Sequence, residues 1–280
     1  MLPAGKNSLL CPNCRKLISA DEPVCPYCGL SKPGASWKML FSRLASLSSV
    51  DTVKIIIYVN VIFYLFSLLL NPSSLGLSGN PLTFLSPSNA SLLILGATGR
   101  FPIDGYGRWW TLLSASFLHG GILHIFFNMV ALWQLGPFLL REFGANRFLI
   151  IYIISGIFGF FVSYLAGVAF TIGASASICG LIGAILYYGK ARGGFYGELI
   201  YRQAMGWVLG LVVFGLLAPG INNWAHIGGI AGGILLSFIV GYKEKKAESM
   251  SHRILSMFCI LITAMALLWA AVQAIYYFIF

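Results

Sequence analysis

Gly173-Ala-Ser-Ala-Ser-Ile-Cys-Gly-Leu-Ile-Gly183 opens an apolar segment that runs to Tyr188, and the fold turns on how these eleven residues are used. They are small, uncharged and rich in hydroxyl groups and glycine. A helix start of this kind at a membrane edge admits two uses. It can seat a nucleophilic serine, or it can form a seam where helix backbones pack closely.

The surrounding chain supplies the membrane. Of its 280 residues, 58% are hydrophobic and 9% are charged, whereas soluble domains carry about 25% charged residues. The composition implies an all-α polytopic membrane protein and excludes an ordinary soluble domain. Seven apolar segments follow the N-terminal region: Val53–Leu70, Ile122–Leu140, Phe148–Phe170, Ser175–Tyr188, Met205–Leu217, Ala225–Val240 and Ile254–Phe280. A simple span needs about 20 residues. The fourth, fifth and sixth are short by that measure, so they are expected to be enclosed by the others, with ends that meet water inside the membrane layer.

The net charge of +10 would suggest nucleic acid or acidic partners in a soluble protein. Here the positive-inside rule accounts for it, and no nucleic-acid partner is expected. With the N-terminus inside, segments 1–54, 141–147, 189–203 and 241–253 hold 16 of the 18 Lys and Arg residues. Only Arg100 and Arg108 then lie outside, and the C-terminus is outside too. No signal peptide is evident in residues 1–50, which are mixed and polar, so the first span is expected to direct insertion. The long connection Asn71–Gly121 carries Trp109-Trp110 and is expected to lie partly in the outer interface.

Cys11-Pro-Asn-Cys14 and Cys25-Pro-Tyr-Cys28 form two CxxC knuckles with ten residues between them. Four thiolates at this spacing suit a tetrahedral zinc site, and a reducing inner compartment favours zinc over disulfides. A closed four-thiolate site has no open position, so its role is structural or in binding a cytoplasmic partner. The expected organisation is a zinc-ribbon-like module over 1–36, a basic linker over 37–52 with a surface helix near Trp37–Leu47, a membrane domain over 53–253, and an additional C-terminal transmembrane helix over 254–280.

Four polar positions share one depth at the outer side: Ser175, His226, and the pair His124 and Asn128, which lie four residues apart and so face the same way on a helix. Facing hydrocarbon would be costly, so this face is expected to look into the bundle. The bland alternative is that these groups only hydrogen-bond neighbouring helices. All eight acidic residues lie outside the spans or at their rims, which excludes a Ser-His-Asp triad with a buried acid. A Ser–His dyad is left, with the Asn128 amide, His124 and the Ser175 backbone N–H as oxyanion donors. Small residues at four-residue spacing (Ala176, Gly180 and Ala184 in one segment, Gly228/Gly232 and Gly229/Gly233 in another) allow the close approach that would bring Ser175 to His226.

The ordered set Trp109-Trp110, Phe117-Leu-His119, His124-xxx-Asn128-Met129, Leu135-Gly136-Pro137, Arg147-Phe148, Gly173-Ala-Ser175 and Ala225-His226-Ile-Gly-Gly229 resembles the rhomboid intramembrane serine proteases over roughly residues 109–240. The resemblance implies a six-helix bundle with a short, central serine helix, to which 254–280 adds a seventh. It implies Ser175 as nucleophile, His226 as general base, and His124 with Asn128 as oxyanion stabilisers, without a catalytic cofactor. The substrates it implies are membrane-spanning proteins cut near their outer end, in a bilayer expected to be a bacterial cytoplasmic membrane. Three positions depart from the family pattern: Ala176 replaces the glycine after the serine, Thr111 replaces an arginine, and Leu140 replaces an acid that recurs as Glu142. Ser177 is a fallback nucleophile, two residues along and facing elsewhere. Two further classes are open: a catalytically silent relative that binds membrane proteins, and a small-solute transporter, for which the spans offer few ionisable groups.

Overall fold

The computed structural model describes residues 8–14, 16–35, 49–72, 76, 83–218, 220–245 and 247–279. The expected surface helix at Trp37–Leu47 lies outside these residues. Two short antiparallel strands come first, β1 (Ser8–Leu10) and β2 (Leu17–Ser19), paired with Leu9 opposite Ile18. Helix α1 (Ser49–Leu69) leads into a connection with three short helices: α2 (Asn89–Ile94), α3 (Arg100–Tyr106) and α4 (Thr111–Ser114), the last extended by a 3₁₀ turn at Ala115–Phe117. The remaining long helices are α5 (Ile122–Phe143), α6 (Ala145–Leu165), α7 (Ser175–Arg192), α8 (Gly194–Leu217), α9 (Asn223–Val240) and α10 (Met250–Ile279).

Helices α1, α5, α6, α8, α9 and α10 are the six among the described residues that are long and apolar enough to cross a membrane. Helix α7 is the exception. Residues 176–186 of α7 are all buried, so this helix meets protein on every side. Glycine and serine lower its hydropathy without penalty, because they face neighbouring backbones and not lipid. The expectation of a short, enclosed helix is met here; the 18-residue α9 is short but not enclosed, with Ile227, Leu235, Phe238 and Ile239 exposed.

It fails at α8. The apolar run begins at Met205, yet the helix starts at Gly194 and spans 24 residues. The polar stretch before Met205 is helical too: it buries Gly197, Ile200 and Ala204, and Glu198 and Arg202 form an i,i+4 pair at 3.0 Å on its exposed side.

Helices α6, α7 and α9 make the most extensive contacts in the bundle, and glycine sets their spacing. On α9 the two small-residue rails face different neighbours. A Cβ on Gly229 or Gly233 would collide with the backbone carbonyl of Ala176 or Gly180 on α7. Gly228 instead lies against Gly159 and Val162 of α6, and Gly232 against Phe158. On α7, Gly183 meets the backbone of Ile230. The predicted α7–α9 contact therefore exists, and α6 is wedged behind it as a third member.

At the opposite end of the bundle, Glu248 caps the start of α6. Its carboxylate accepts hydrogen bonds from the Asn146 and Arg147 backbone N–H groups at 3.0 and 3.1 Å, and from Asn146 Nδ2 at 3.0 Å. An anion at a helix N-terminus is stabilised by the exposed N–H groups and the helix dipole. Arg147, fully buried beside it, donates to Phe143 O and Ala247 O.

Candidate functional site

Ser175 is the first residue of α7, held by a loop that is itself strapped down. Gly173 has φ +125°, a conformation L side chains rarely adopt, and its N–H donates to Ala115 O at 2.9 Å. Upstream, Thr98 and Thr171 exchange backbone hydrogen bonds at 3.0 and 2.7 Å, while the Arg100 and Phe101 N–H groups donate to Val168 O and Ala169 O. The connection before α5 thus pins the segment that delivers the serine. Within α7 the first bond of this type runs from Ile178 N to Ala174 O. The N–H groups ahead of Ile178 are the orphan donors of a helix N-terminus, where negative charge is stabilised.

His124 lies against the same loop. A Cβ on Gly173 would sit 2.7 Å from His124 Nε2 and 3.5 Å from Ser175 Oγ, so both groups border one small space. His124 Nδ1 accepts a hydrogen bond from the Gly120 N–H at 3.2 Å. The neutral ring must then carry its proton on Nε2, which turns an N–H donor towards the serine side. Asn128, buried, spends one amide hydrogen on the His124 carbonyl at 2.8 Å and keeps the second for another acceptor. His119, fully buried and with neither ring nitrogen partnered among the described residues, packs edge-on to His124 with ring centroids 5.0 Å apart.

His226 enters from α9, one helical turn before Gly229, where an added Cβ would strike the Ala176 carbonyl. This places the imidazole on a neighbouring helix at the level of Ser175. Among the described residues His226 Nδ1 is buried without a hydrogen-bond partner, and no carboxylate orients the ring. No hydrogen bond joins Ser175 to His226 among the described residues.

Other residues singled out by sequence fall into place by burial. Ser177 is fully buried and lies 3.4 Å from Ser116 Oγ, facing α6 and the 3₁₀ turn, away from His124. Ala176 has helical backbone, and its methyl joins a buried apolar cluster with Ile103, Leu112, Ala115, Phe160 and Ala225. At Thr111 the hydroxyl donates to Arg108 O at 2.6 Å and lies 3.0 Å from Thr98 Oγ1, while Arg108 donates to Leu93 O. Glu142 accepts from the Tyr188 hydroxyl at 3.0 Å, tying the far end of α5 to α7. His252 accepts from the Ser249 N–H at the start of α10.

One polar residue escaped the sequence reasoning. Asn222 precedes α9, and its side-chain oxygen accepts the Ala225 N–H at 3.1 Å as an N-cap. Its Nδ2 donates to Ser163 Oγ and Thr171 Oγ1 at 2.6 and 2.9 Å. An Asn immediately before an apolar helix was the available signal.

Away from the bundle core, the sulfurs of Cys11, Cys14, Cys25 and Cys28 all lie within 4.8 Å of one another and could hold a metal ion. The two knuckles are built alike, with Cys11 N donating to Lys16 O and Cys25 N to Leu30 O, both at 2.9 Å. Burial pushes the Cys11 thiol up to about 12. At Cys28 burial is outweighed by hydrogen bonds from the Asn13 side chain and the Leu30 backbone, which bring it down to about 7.

Comparison with known proteins matches the Rhomboid domain family over residues 106–243. The chain is 33% identical over 182 residues to the rhomboid protease GluP of Bacillus subtilis, covering 65% of this chain and 36% of that protein. It is 35% identical over 163 residues to RHOMBOID-like protein 4 of Arabidopsis thaliana, covering 58% of this chain and 41% of that one. The chain thus spans well under two thirds of these two relatives. It is also 34% identical over 159 residues to the putative rhomboid protease YdcA of Bacillus subtilis, covering 52% of this chain and 78% of that protein. With the serine loop, the histidine helices and the enclosed α7 in this arrangement, and a relative matched over most of its length, the chain belongs to the rhomboid family.

Proposed function

We propose that this protein is an intramembrane serine endopeptidase in which Ser175 is the nucleophile and His226 the general base. The observation that carries the proposal is the small space shared by Ser175 Oγ and His124 Nε2 above Gly173, beside the close α7–α9 contact. His226 takes the Ser175 proton as Oγ bonds to the scissile carbonyl carbon. The resulting oxyanion meets the His124 Nε2–H, the Ser175 backbone N–H and the free Asn128 amide hydrogen. Protonated His226 then passes its proton to the leaving amine as the C–N bond breaks, leaving an ester on Ser175. Water, deprotonated by His226, attacks that ester and releases the new carboxyl end while the serine recovers its proton.

The positive-inside bias supports an orientation with the serine end of the bundle outside and both the four-cysteine module and the basic end in the cytoplasm. The substrates are then membrane-spanning proteins cut near their outer end, in a bacterial cytoplasmic membrane. The chain divides into a module over 1–36, a linker over 37–52, the membrane domain over 53–253 and the added helix over 254–280.

The four-cysteine module fits zinc. Bonds of about 2.3 Å in a tetrahedron place sulfurs about 3.8 Å apart, and the Cys11–Cys28 and Cys14–Cys25 sulfur separations are both 3.7 Å. A zinc ion held by all four would cross-link the two knuckles, with no open position for chemistry.

The test is reaction of the purified full-length protein with a fluorophosphonate, in wild type, Ser175→Ala, Ser177→Ala and His226→Ala. Labelling that survives only in the wild type and Ser177→Ala supports the proposal. No labelling in any form favours a silent rhomboid that binds membrane proteins.

A further inference from the structure

An N-cap needs only one side-chain acceptor, yet Asn222 uses its whole amide. Its oxygen caps α9 at Ala225, and its two N–H groups reach Ser163 on α6 and Thr171 on the serine loop. Both hydroxyls are buried, with Ser163 at 0% and Thr171 at 7% exposure. The Asn222 carbonyl also receives the His226 N–H at 3.2 Å. Thr171 lies four residues before Ser175 and pairs through its backbone with Thr98, whose hydroxyl is 3.0 Å from Thr111 Oγ1. One hydrogen-bonded path therefore runs from the helix carrying His226, through the loop carrying Ser175, to the connection that pins that loop.

We propose that Asn222 is a positioning residue for the reaction, holding His226 in register with Ser175 by tying the start of α9 to the serine loop and to α6. The inference rests on the Ser175–His226 dyad proposed above. Capping alone does not explain the residue. Ser, Asp and Asn cap helices about equally well, but of these only Asn joins a cap acceptor to two fixed donors. Serine at 222 would keep the cap and be too short for both Ser163 and Thr171.

The test uses full-length protein in detergent micelles, with the fluorophosphonate inactivation constants kinact and KI, and thermal unfolding, measured for Asn222→Ser, Thr171→Val, Thr171→Ser and the Asn222→Ser/Thr171→Val double variant. Misplacing reacting groups lowers the rate of the chemical step more than probe binding, so Asn222→Ser and Thr171→Val should each lower kinact about tenfold or more with KI within about twofold. Thr171→Ser keeps the hydroxyl and should keep kinact. The double variant should be no slower than the slower single variant, because both break one connection. If Asn222→Ser fails to fold, the contrast between Thr171→Val and Thr171→Ser decides. Wild-type kinact in Asn222→Ser and Thr171→Val, or equal losses in Thr171→Val and Thr171→Ser, overturns the positioning role while leaving the dyad intact. A wild type that does not label at Ser175 overturns the dyad and this role together.

Discussion

Gly229→Ala tests the close approach that the proposed chemistry requires. An added Cβ would drive into the Ala176 carbonyl, which is backbone and cannot rotate away. The helices must part, and overpacking of this kind costs about 1–3 kcal/mol. Alanine recovers roughly 1 kcal/mol of helix propensity over glycine, leaving a net loss of about 0–2 kcal/mol, small enough for the protein to fold. The kinetic effect should be larger, because a misplacement of about 1 Å costs on the order of 100-fold in rate. Gly232→Ala is the control on the same helix. Its Cβ would meet the Phe158 ring at 3.0 Å, a side chain that can shift, and should leave labelling near the wild-type rate. The assay is fluorophosphonate labelling of Ser175 against time, with thermal unfolding in parallel. Equal labelling rates in wild type, Gly229→Ala and Gly232→Ala would refute the claim that the α7–α9 contact sets the distance between Ser175 and His226.

Other outcomes follow from the same contacts. His124→Ala removes one oxyanion donor and should slow labelling by about 100-fold or more while the protein still folds, as measured by kinact. Ala176→Gly should change the labelling rate by no more than about threefold and lower stability by roughly 1 kcal/mol, because the methyl packs in a buried cluster and the backbone there is already helical. Glu248→Ala strips three hydrogen bonds from the α6 N-terminus beside buried Arg147 and should cost about 2–4 kcal/mol in detergent unfolding assays. Elemental analysis of the full-length protein should find one zinc ion per chain, and Cys14→Ser should lower that content markedly.

Much of this architecture is written in local pattern, because hydrocarbon imposes long apolar runs and depth sorts polar residues. The seven long helices, the serine helix among them, and the four-cysteine cluster were legible for that reason. What local pattern does not carry is which helices touch. The Gly228 and Gly229 rails look alike in sequence, and only packing sends one to α6 and the other to α7. The early start of α8 was hidden because Glu198 and Arg202 read as a loop until their i,i+4 pairing is seen. Glu248 looked like a rim charge, although it caps a helix some hundred residues away in sequence. Asn222 carried a helix-start signal but no hint of Ser163 or Thr171, both more than fifty positions upstream. At the candidate site, residue types and depth pointed to Ser175, His226, His124 and Asn128, whereas the His124 tautomer depends on a Gly120 N–H that only the folded turn supplies.

The central claim is that Ser175 is activated by His226, and the position of the covalent adduct tests it most directly. Full-length protein treated with a fluorophosphonate and digested should yield one modified peptide, with the added mass on Ser175, and the modification should vanish in His226→Ala. An adduct on Ser177, or on Ser175 with equal yield in His226→Ala, would contradict the account.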